Sequence, residues 1–293
     1  LAVQPINNNK PPMLGDDYPF NFFQPECDGK VLFHPHWHER HMEIIMMAEG
    51  QAEFHIGGRS YDAVPGDIYF MPEGQIHGGY LKKTIPSYYT ILFDRSALAG
   101  TSSNIRSYEP LLGGELALPD RIRPDDPHYH ALAETIRTTI GEFIHQKQGY
   151  EMAVRSLLHV LLIRLARAYA AEDGILRDSQ ADRRHAEQLK HVMMHVDNHY
   201  MDKISVQEAA KLANMSVHHF CRTFKKTAGR TFTEFLNSYR INKAAELIVQ
   251  TDLQITRIAE QVGFGTINYF DEMFKKFTGQ SPTQFRKNKG KRQ

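Results

Sequence analysis

The stretch ITRIAEQVGFGTINYFDEMFKKFTGQSPTQFR, from Ile255 to Arg286, decides how the chain is read, because its second half occurs twice. Phe220, Phe224, Lys225, Lys226, Gly229, Thr233 and Phe235 recur fifty residues later as Phe270, Phe274, Lys275, Lys276, Gly279, Thr283 and Phe285, seven identities across sixteen compared positions. Upstream of the first copy, Ser205-Val206-Gln207-Glu208 has the layout of a capping box. In that motif the Ser oxygen accepts an N–H three residues on and the Glu reaches back. The helix it opens would bury Val206, Ala209, Ala210 and Ala213. Asn214 tolerates the left-handed conformation just past a helix end, and Ser216 can cap the next helix. On that helix Phe220 and Phe224, four apart, mark the buried face and leave His218, Cys221, Arg222 and Lys225 outside. The second copy repeats this with Ile255, Ile258, Ala259 and Val262 inside. Gly263 takes the place of Asn214, Phe264 that of Met215, and Thr266 that of Ser216. Ala210 to Ala259 is 49 residues and Phe220 to Phe270 is 50, so the second turn holds one extra residue.

Helix, short turn and helix with a polar outer face is helix-turn-helix layout. Its DNA-binding use puts the second helix in the major groove. Two copies joined by a helix near Phe232 to Val249 can reach successive grooves, roughly 34 Å apart. Charge points the same way. Residues 1–182 hold 16 Lys+Arg against 24 Asp+Glu, a net −8, while residues 183–293 hold 19 against 10, a net +9, behind an overall +1. Only the C-terminal part suits a polyanion. A plain helical bundle with a solvated basic face is the bland alternative; a doubled motif in a basic segment favours double-stranded DNA.

Ile258-Ala259, Val262-Gly263-Phe264, Tyr269-Phe270, Phe274-Lys275-Lys276, Gly279, Pro282 and Phe285-Arg286 resemble the signature of the AraC/XylS family of transcription regulators, over roughly residues 183–290. The resemblance implies that bases are read from the exposed side of each second helix. The matching positions are His218, Cys221 and Arg222 in the first copy and Ile267, Asn268, Asp271 and Glu272 in the second. Arg222 can pair with guanine O6/N7 and Asn268 with adenine. Lys225, Lys226, Lys275 and Lys276 are placed for phosphates, which position without specifying. Glu272 departs from the pattern, standing after Asp271 where the family often has Arg or Lys. Two carboxylates repel phosphate, although either can accept from cytosine N4. A salt bridge to a nearby Lys is the alternative for Glu272.

Upstream the periods change. Residues 1–24, with Tyr18, Phe20, Phe22 and Phe23, read as an extended arm whose aromatics could fold over a pocket. Residues 31–93 read as short strands. Ala52 to Ile56 alternates with Phe54 and Ile56 on one face, and Gly57-Gly58 signals a hairpin. Ile68 to Met71 and Tyr88 to Phe93 are further strands, and the whole suggests a small barrel or sandwich. From Tyr129 the spacing of Leu132, Ile136, Ile140, Phe143 and Ile144 is helical. A second helix, from about Tyr150 to Ala171, is apolar over more than half its circumference through Leu157, Leu158, Val160, Leu161, Leu162 and Leu165. Such a helix needs partners on more than one side; the barrel plus a second subunit would supply them, and burial within one subunit is the plain alternative. Gly174 to Arg184 reads as a polar linker.

His36-Trp37-His38, Glu43 and Gly50, followed by Gly66, Pro72, Gly74 and His77, resemble the two motifs of the cupin superfamily over about residues 31–93. This implies a small double-sheet barrel, a fold common for effector domains of AraC/XylS regulators. In cupin enzymes the positions of His36, His38, Glu43 and His77 bind a metal. By themselves, two His at i and i+2 share one face of a strand, and three imidazoles with one carboxylate suit Zn, Fe, Ni or Mn alike. The alternatives are fixtures of strand and turn, or a His-rich mouth that hydrogen-bonds a polar ligand. Trp37 could stack on a sugar face.

At 293 residues the chain suits two domains, and 41% hydrophobic residues supply their cores. The expected fold is mixed: an N-terminal cupin β-barrel with a helical dimerisation segment and a C-terminal all-α double helix-turn-helix domain. The expected divisions are an arm at 1–24, an effector domain at 25–127, dimerisation helices at 128–173, a linker at 174–184 and a DNA-binding domain at 185–293. No apolar run approaches a membrane span, Leu1 to Lys10 lacks a signal-peptide layout, and Cys27 and Cys221 make no disulfide framework. A cytoplasmic location is therefore expected. The leading function is a ligand-responsive regulator, an activator controlling uptake or catabolism of a sugar or related small molecule. It would act as a homodimer on promoter DNA with RNA polymerase as partner. The effector would sit at His36, Trp37, His38, Glu43 and His77, with a divalent metal an open option and no catalytic residues. The runner-up is a metal-dependent cupin enzyme fused to a DNA-binding domain.

Overall fold

The structure, a computed structural model, describes residues 20–23, 31–94, 118–169 and 180–289. The strands described are β1 (Phe20–Phe23), β2 (Val31–His36), β3 (His41–Glu49), β4 (Ala52–Ile56), β5 (Arg59–Ala63), β6 (Ile68–Met71), β7 (His77–Leu81), β8 (Ser87–Asp94) and β9 (Arg121–Ile122). They form two antiparallel sheets, ordered β1-β8-β3-β6-β9 and β2-β7-β4-β5. The centre is β3, which does not alternate: Met42 to Met47 are all buried. Side chains of a strand point to opposite faces in turn, so both faces of β3 are covered. Ile45 and Met47 pack between the sheets with Phe54, Ile56, Tyr69 and Tyr88. Met42, Ile44 and Met46 face the other way, onto helices α1 (Tyr129–His145) and α2 (Tyr150–Tyr169).

This packing uses up most of the apolar circumference of α2 inside the chain. Val154, Leu158, Leu161, Leu162 and Leu165 are buried in the sheet–helix core, while Met152 and Val160, with Ile144 of α1, stay exposed. Of the arm expected at 1–24, residues 20–23 pair with β8 from Phe20↔Phe93 to Phe23↔Thr90. Residues 1–19 lie outside the described residues, as does Cys27. Helix α3 (Gln180–His199) begins within the segment expected as linker, and residues 174–179 lie outside the described residues. Gln, Ala, Arg and Glu are good helix formers, and polarity alone does not distinguish a linker from an exposed helical turn.

The C-terminal part continues with α4 (Val206–Leu212), α5 (Val217–Ala228), α6 (Phe232–Gln250), α7 (Ile255–Gln261), α8 (Ile267–Thr278) and α9 (Pro282–Lys289). Ser205 and Glu208 close the capping box of α4, and Thr231 with Glu234 forms a second one at α6. The turns need a left-handed residue, which Asn214 supplies at φ 51° and Gly263 at φ 87°. Two aromatic cores result. Phe220, Phe224, Phe232 and Phe235 gather with Leu189, Val192 and Ala210, and Phe270, Phe274, Phe277 and Phe285 gather with Ile258 and Val262. Helix α6 serves both, giving Leu236 and Tyr239 to the first and Ile241, Ala244 and Ile248 to the second. Among the described residues no helix is long and apolar enough to cross a membrane.

Candidate functional site

The second helix of each motif, α5 and α8, is held by its buried Phe pair and by a side-chain N-cap, Ser216 to the His219 N–H and Thr266 to the Tyr269 N–H. What remains outside is the surface expected from the sequence. His218, Cys221, Arg222, Lys225 and Lys226 are exposed on α5, and Asn268, Asp271, Glu272, Lys275 and Lys276 on α8. Ile267 is half-buried against the second aromatic core. Glu272 is in no ion pair among the described residues; the pair present instead joins Lys276 Nζ to Glu234 Oε1 at 3.6 Å. The first helix therefore presents His, Arg and Lys to a polyanion, and the second presents Asn and Lys beside two carboxylates. Tyr269, which sequence reading left with the structural residues, is 42% exposed on α8 and accepts from Asn237 Nδ2 through its hydroxyl (2.7 Å). Its signal was its place next to Asn268, outside the buried Phe270–Phe274 face.

The four residues His36, His38, Glu43 and His77 come together, with one ligand atom from each lying within 4.8 Å of the others. They bridge the two sheets. Glu43 sits on β3, His36 and His77 are direct register partners on β2 and β7, and His38 follows β2. The His36 Nδ1–H donates to the His34 carbonyl at 2.7 Å, and the His77 Nδ1–H donates to the Gln75 carbonyl at 2.8 Å. A carbonyl only accepts, so each bond fixes the proton on Nδ1 and turns Nε2 towards the cluster. Glu43 Oε2 lies 2.9 Å from Nε2 of both His38 and His77. Burial opposes ionisation of Glu43, but the charge of His77 and hydrogen bonds from His38 and His77 hold its carboxyl well below the usual range. Burial, with the charges of His77 and His38, holds His36 well below the ordinary imidazole value. The His77 Nε2 contact with a carboxylate oxygen requires a proton or a cation between them. Inward Nε2 atoms with Nδ1 secured on carbonyls are what metal-ligating histidines need, so the donor set fits a divalent ion.

Trp37 does not join this cluster. It points out of the sheet into the first aromatic core of the helical part, beside Leu189 and Val192, with Lys190 Nζ 5.8 Å from its ring centroid. The stacking expected with a sugar is occupied by a lysine. Thr90 was missed: its hydroxyl is buried on the inward face of β8, opposite Ile45 and so on the Glu43 side, with no hydrogen-bond partner among the described residues. A lone Thr in the apolar run Tyr88–Phe93 was the available sign. A cavity of about 480 Å³ opens elsewhere, between β3 and α1, lined by Met46, Met47, Tyr89, Arg137, Ile140 and Ile144, and shares no residue with the cluster.

Comparison with known proteins matches two family models. An AraC-like ligand binding domain covers residues 26–162, and a helix-turn-helix domain covers residues 209–288. The uncharacterized HTH-type transcriptional regulator YdeC of Bacillus subtilis is 22% identical over 253 residues, 86% of this chain and 85% of that protein. The HTH-type transcriptional activator RhaS of Shigella flexneri serotype 5b is 22% identical over 284 residues, 90% of this chain and 94% of that protein. The crystal structure of ToxT from Vibrio cholerae O395 is 14% identical, covering 92% of this chain and 97% of that chain, with a TM-score of 0.41.

Proposed function

The chain belongs to the AraC/XylS family of transcription regulators, and from that premise we propose that it is an activator responding to a polar small molecule held at the His36–His38–Glu43–His77 cluster. It is a ligand-responsive DNA-binding regulator and not an enzyme. The single observation that carries the proposal is the convergence of three imidazoles and a carboxylate, buried between the two sheets. A divalent ion held there by His36, His38, Glu43 and His77 would offer open positions to a ligand's oxygens. The Thr90 hydroxyl, with no hydrogen-bond partner among the described residues, supports a polar ligand, and a sugar or related polyol is the class we assign. Activation is supported by the likeness to RhaS, described as an activator. A homodimer is supported by the exposed Ile144, Met152 and Val160 on the α1–α2 hairpin, promoter duplex DNA is the macromolecular partner, and RNA polymerase follows if it activates.

On the DNA side, Arg222 of α5 and Asn268 of α8 are the proposed base readers, with His218, Cys221, Ile267, Asp271 and Glu272 beside them. Lys225, Lys226, Lys275 and Lys276 are the phosphate contacts. The test for DNA uses a duplex selected from a random pool. Arg222→Ala should weaken binding at one base position, whereas Lys225→Ala should weaken all sequences alike and flatten the salt dependence. Uniform effects from both would remove Arg222 as a base reader. For the effector, metal content is measured first, then thermal shift against a sugar panel with and without Zn²⁺. A ligand of the native state must raise the midpoint. Retention of a divalent ion that Glu43→Gln abolishes, with a sugar-dependent shift, is expected. No ion and no shift would overturn the reading of the cluster.

A further inference from the structure

The two helix-turn-helix copies differ at one turn. In the first, the residues ending α5 are Ala228, Gly229 and Arg230; in the second, ending α8, they are Thr278, Gly279 and Gln280. Both glycines are left-handed caps, at φ 73° and 79°. Around Gly279 a Cβ would meet none of the described residues within 4 Å, whereas at Gly229 it would meet the His55 ring at 2.3 Å. The first turn is seated on the outer face of the β2-β7-β4-β5 sheet. The Tyr80 hydroxyl donates to the Ala228 carbonyl, one of the acceptors left open at the end of α5. The Arg230 guanidinium lies 4.1 Å from the Tyr80 ring centroid. Lys226, a proposed phosphate contact, runs along the hairpin at Gly58, 3.5 Å from where a Cβ would stand. Ser238 Oγ of α6 lies 3.3 Å from His34 Nδ1.

The peptide units that carry the buried cluster also send side chains to the helical part. Trp37 and Ile76 are the residues the N-terminal half places in the first aromatic core. Trp37 lies between His36 and His38, and Ile76 immediately precedes His77. Along 34–38, His36 and His38 join the buried cluster while His34 and Trp37 face the helices. The His34 carbonyl is also the acceptor of the His36 Nδ1–H. A shift of the inward imidazoles therefore moves the outward side chains on the same few peptide units.

We propose that the first recognition helix is latched onto the N-terminal sheet through Tyr80, His55 and Arg230, and that the His36–His38–Glu43–His77 cluster sets the latch through Trp37 and Ile76. The latched state lays the stem of Lys226 along the Gly58 hairpin and keeps the acidic half beside the first reader, so it binds DNA more weakly; the turn that ends the second reader has no such seat among the described residues. The coupling rests on the reading of the cluster as a ligand site, and the latch does not.

The test is hydrogen exchange on the full chain, comparing residues 226–231 with their counterparts 276–281, together with affinity for a random-sequence duplex at low salt. The wild type without divalent ions should exchange about tenfold more slowly at 226–231. Tyr80→Phe, and Arg230→Gln, which installs the residue of the second copy, should remove that protection and tighten duplex binding by about three- to tenfold, as expected when a competent state becomes more populated. Equal exchange of the two turns in the wild type, or unchanged exchange and affinity in both variants, overturns the latch. For the coupling, the same exchange is followed with Zn²⁺ added and in Glu43→Gln. Protection at 226–231 should change in both. If Zn²⁺ binds the wild type and not Glu43→Gln while protection stays constant, the coupling falls and the cluster reading stands. If no Zn²⁺ binds yet Glu43→Gln alters protection, the cluster reading falls and the mechanical link stands.

Discussion

The two helix-turn-helix copies have the same internal construction and different surroundings. Each closes a Phe pair, 220/224 or 270/274, over apolar residues of the preceding helix, and each ends its second helix on a left-handed glycine. The first copy has α3 and the N-terminal sheet against it, with Trp37 and Ile76 inside its core. The second core is built chiefly from α6 to α9. The repeated Phe and Gly residues therefore report what a helix-turn-helix needs to fold, the repeated Lys pairs what both copies present to a polyanion, and the unrepeated residues what each copy touches by itself. Ala228 and Arg230 against Thr278 and Gln280 meet the sheet; Arg222 against Glu272 faces solvent, where DNA would lie.

The largest test of this contrast is the matched pair Phe224→Ala and Phe274→Ala. Each deletes a fully buried ring and should cost about 3–5 kcal/mol. In denaturant melts Phe224→Ala should also loosen the N-terminal domain, while Phe274→Ala should leave it intact; identical behaviour would make the two cores one unit. Trp37→Ala should cost about 3 kcal/mol, appearing as lost protection in α3 and α5 and none in α8. Next in size is Gly229→Ala against Gly279→Ala. Both carry the same left-handed penalty of about 1 kcal/mol, and only the first collides with His55. The midpoint should fall further for Gly229→Ala; equal falls would mean that the first turn is not seated on the sheet. Smallest are the caps. Ser205→Ala should lose about 1 kcal/mol. Gln254→Ser should gain a few tenths to about 1 kcal/mol by supplying the side-chain cap that α7 lacks. A loss on Gln254→Ser would show that α7 is fixed by packing alone.

Most of the helical part was legible because its signals are local. Ser205 with Glu208, Asn214, Ser216, Gly263 and the Phe pairs each act within one or two turns of chain, and the structure places them as their chemistry requires. The buried cluster was legible by spacing, since His36, His38, Glu43 and His77 do converge. What composition hid was contact between distant parts. Period two put Phe54 and Ile56 inside and His55 outside, yet His55 is buried because another domain covers that face. Trp37 read as a ligand platform, because an aromatic between two inward histidines looks the same whether its outer side meets a sugar or a helix. The apolar excess of α2 pointed to a partner subunit, while most of it is satisfied by β3 and α1, which no helical periodicity reveals.

Selection of tight-binding duplexes from a random pool by the full chain tests most directly whether two unequal copies read DNA. Two half-sites about one helical turn apart, 10–10.5 bp centre to centre, should emerge, with Arg222→Ala relaxing only one of them and Asn268→Ala only the other. Enrichment of a single short site that both substitutions relax alike, or no enrichment over non-specific binding, would contradict it.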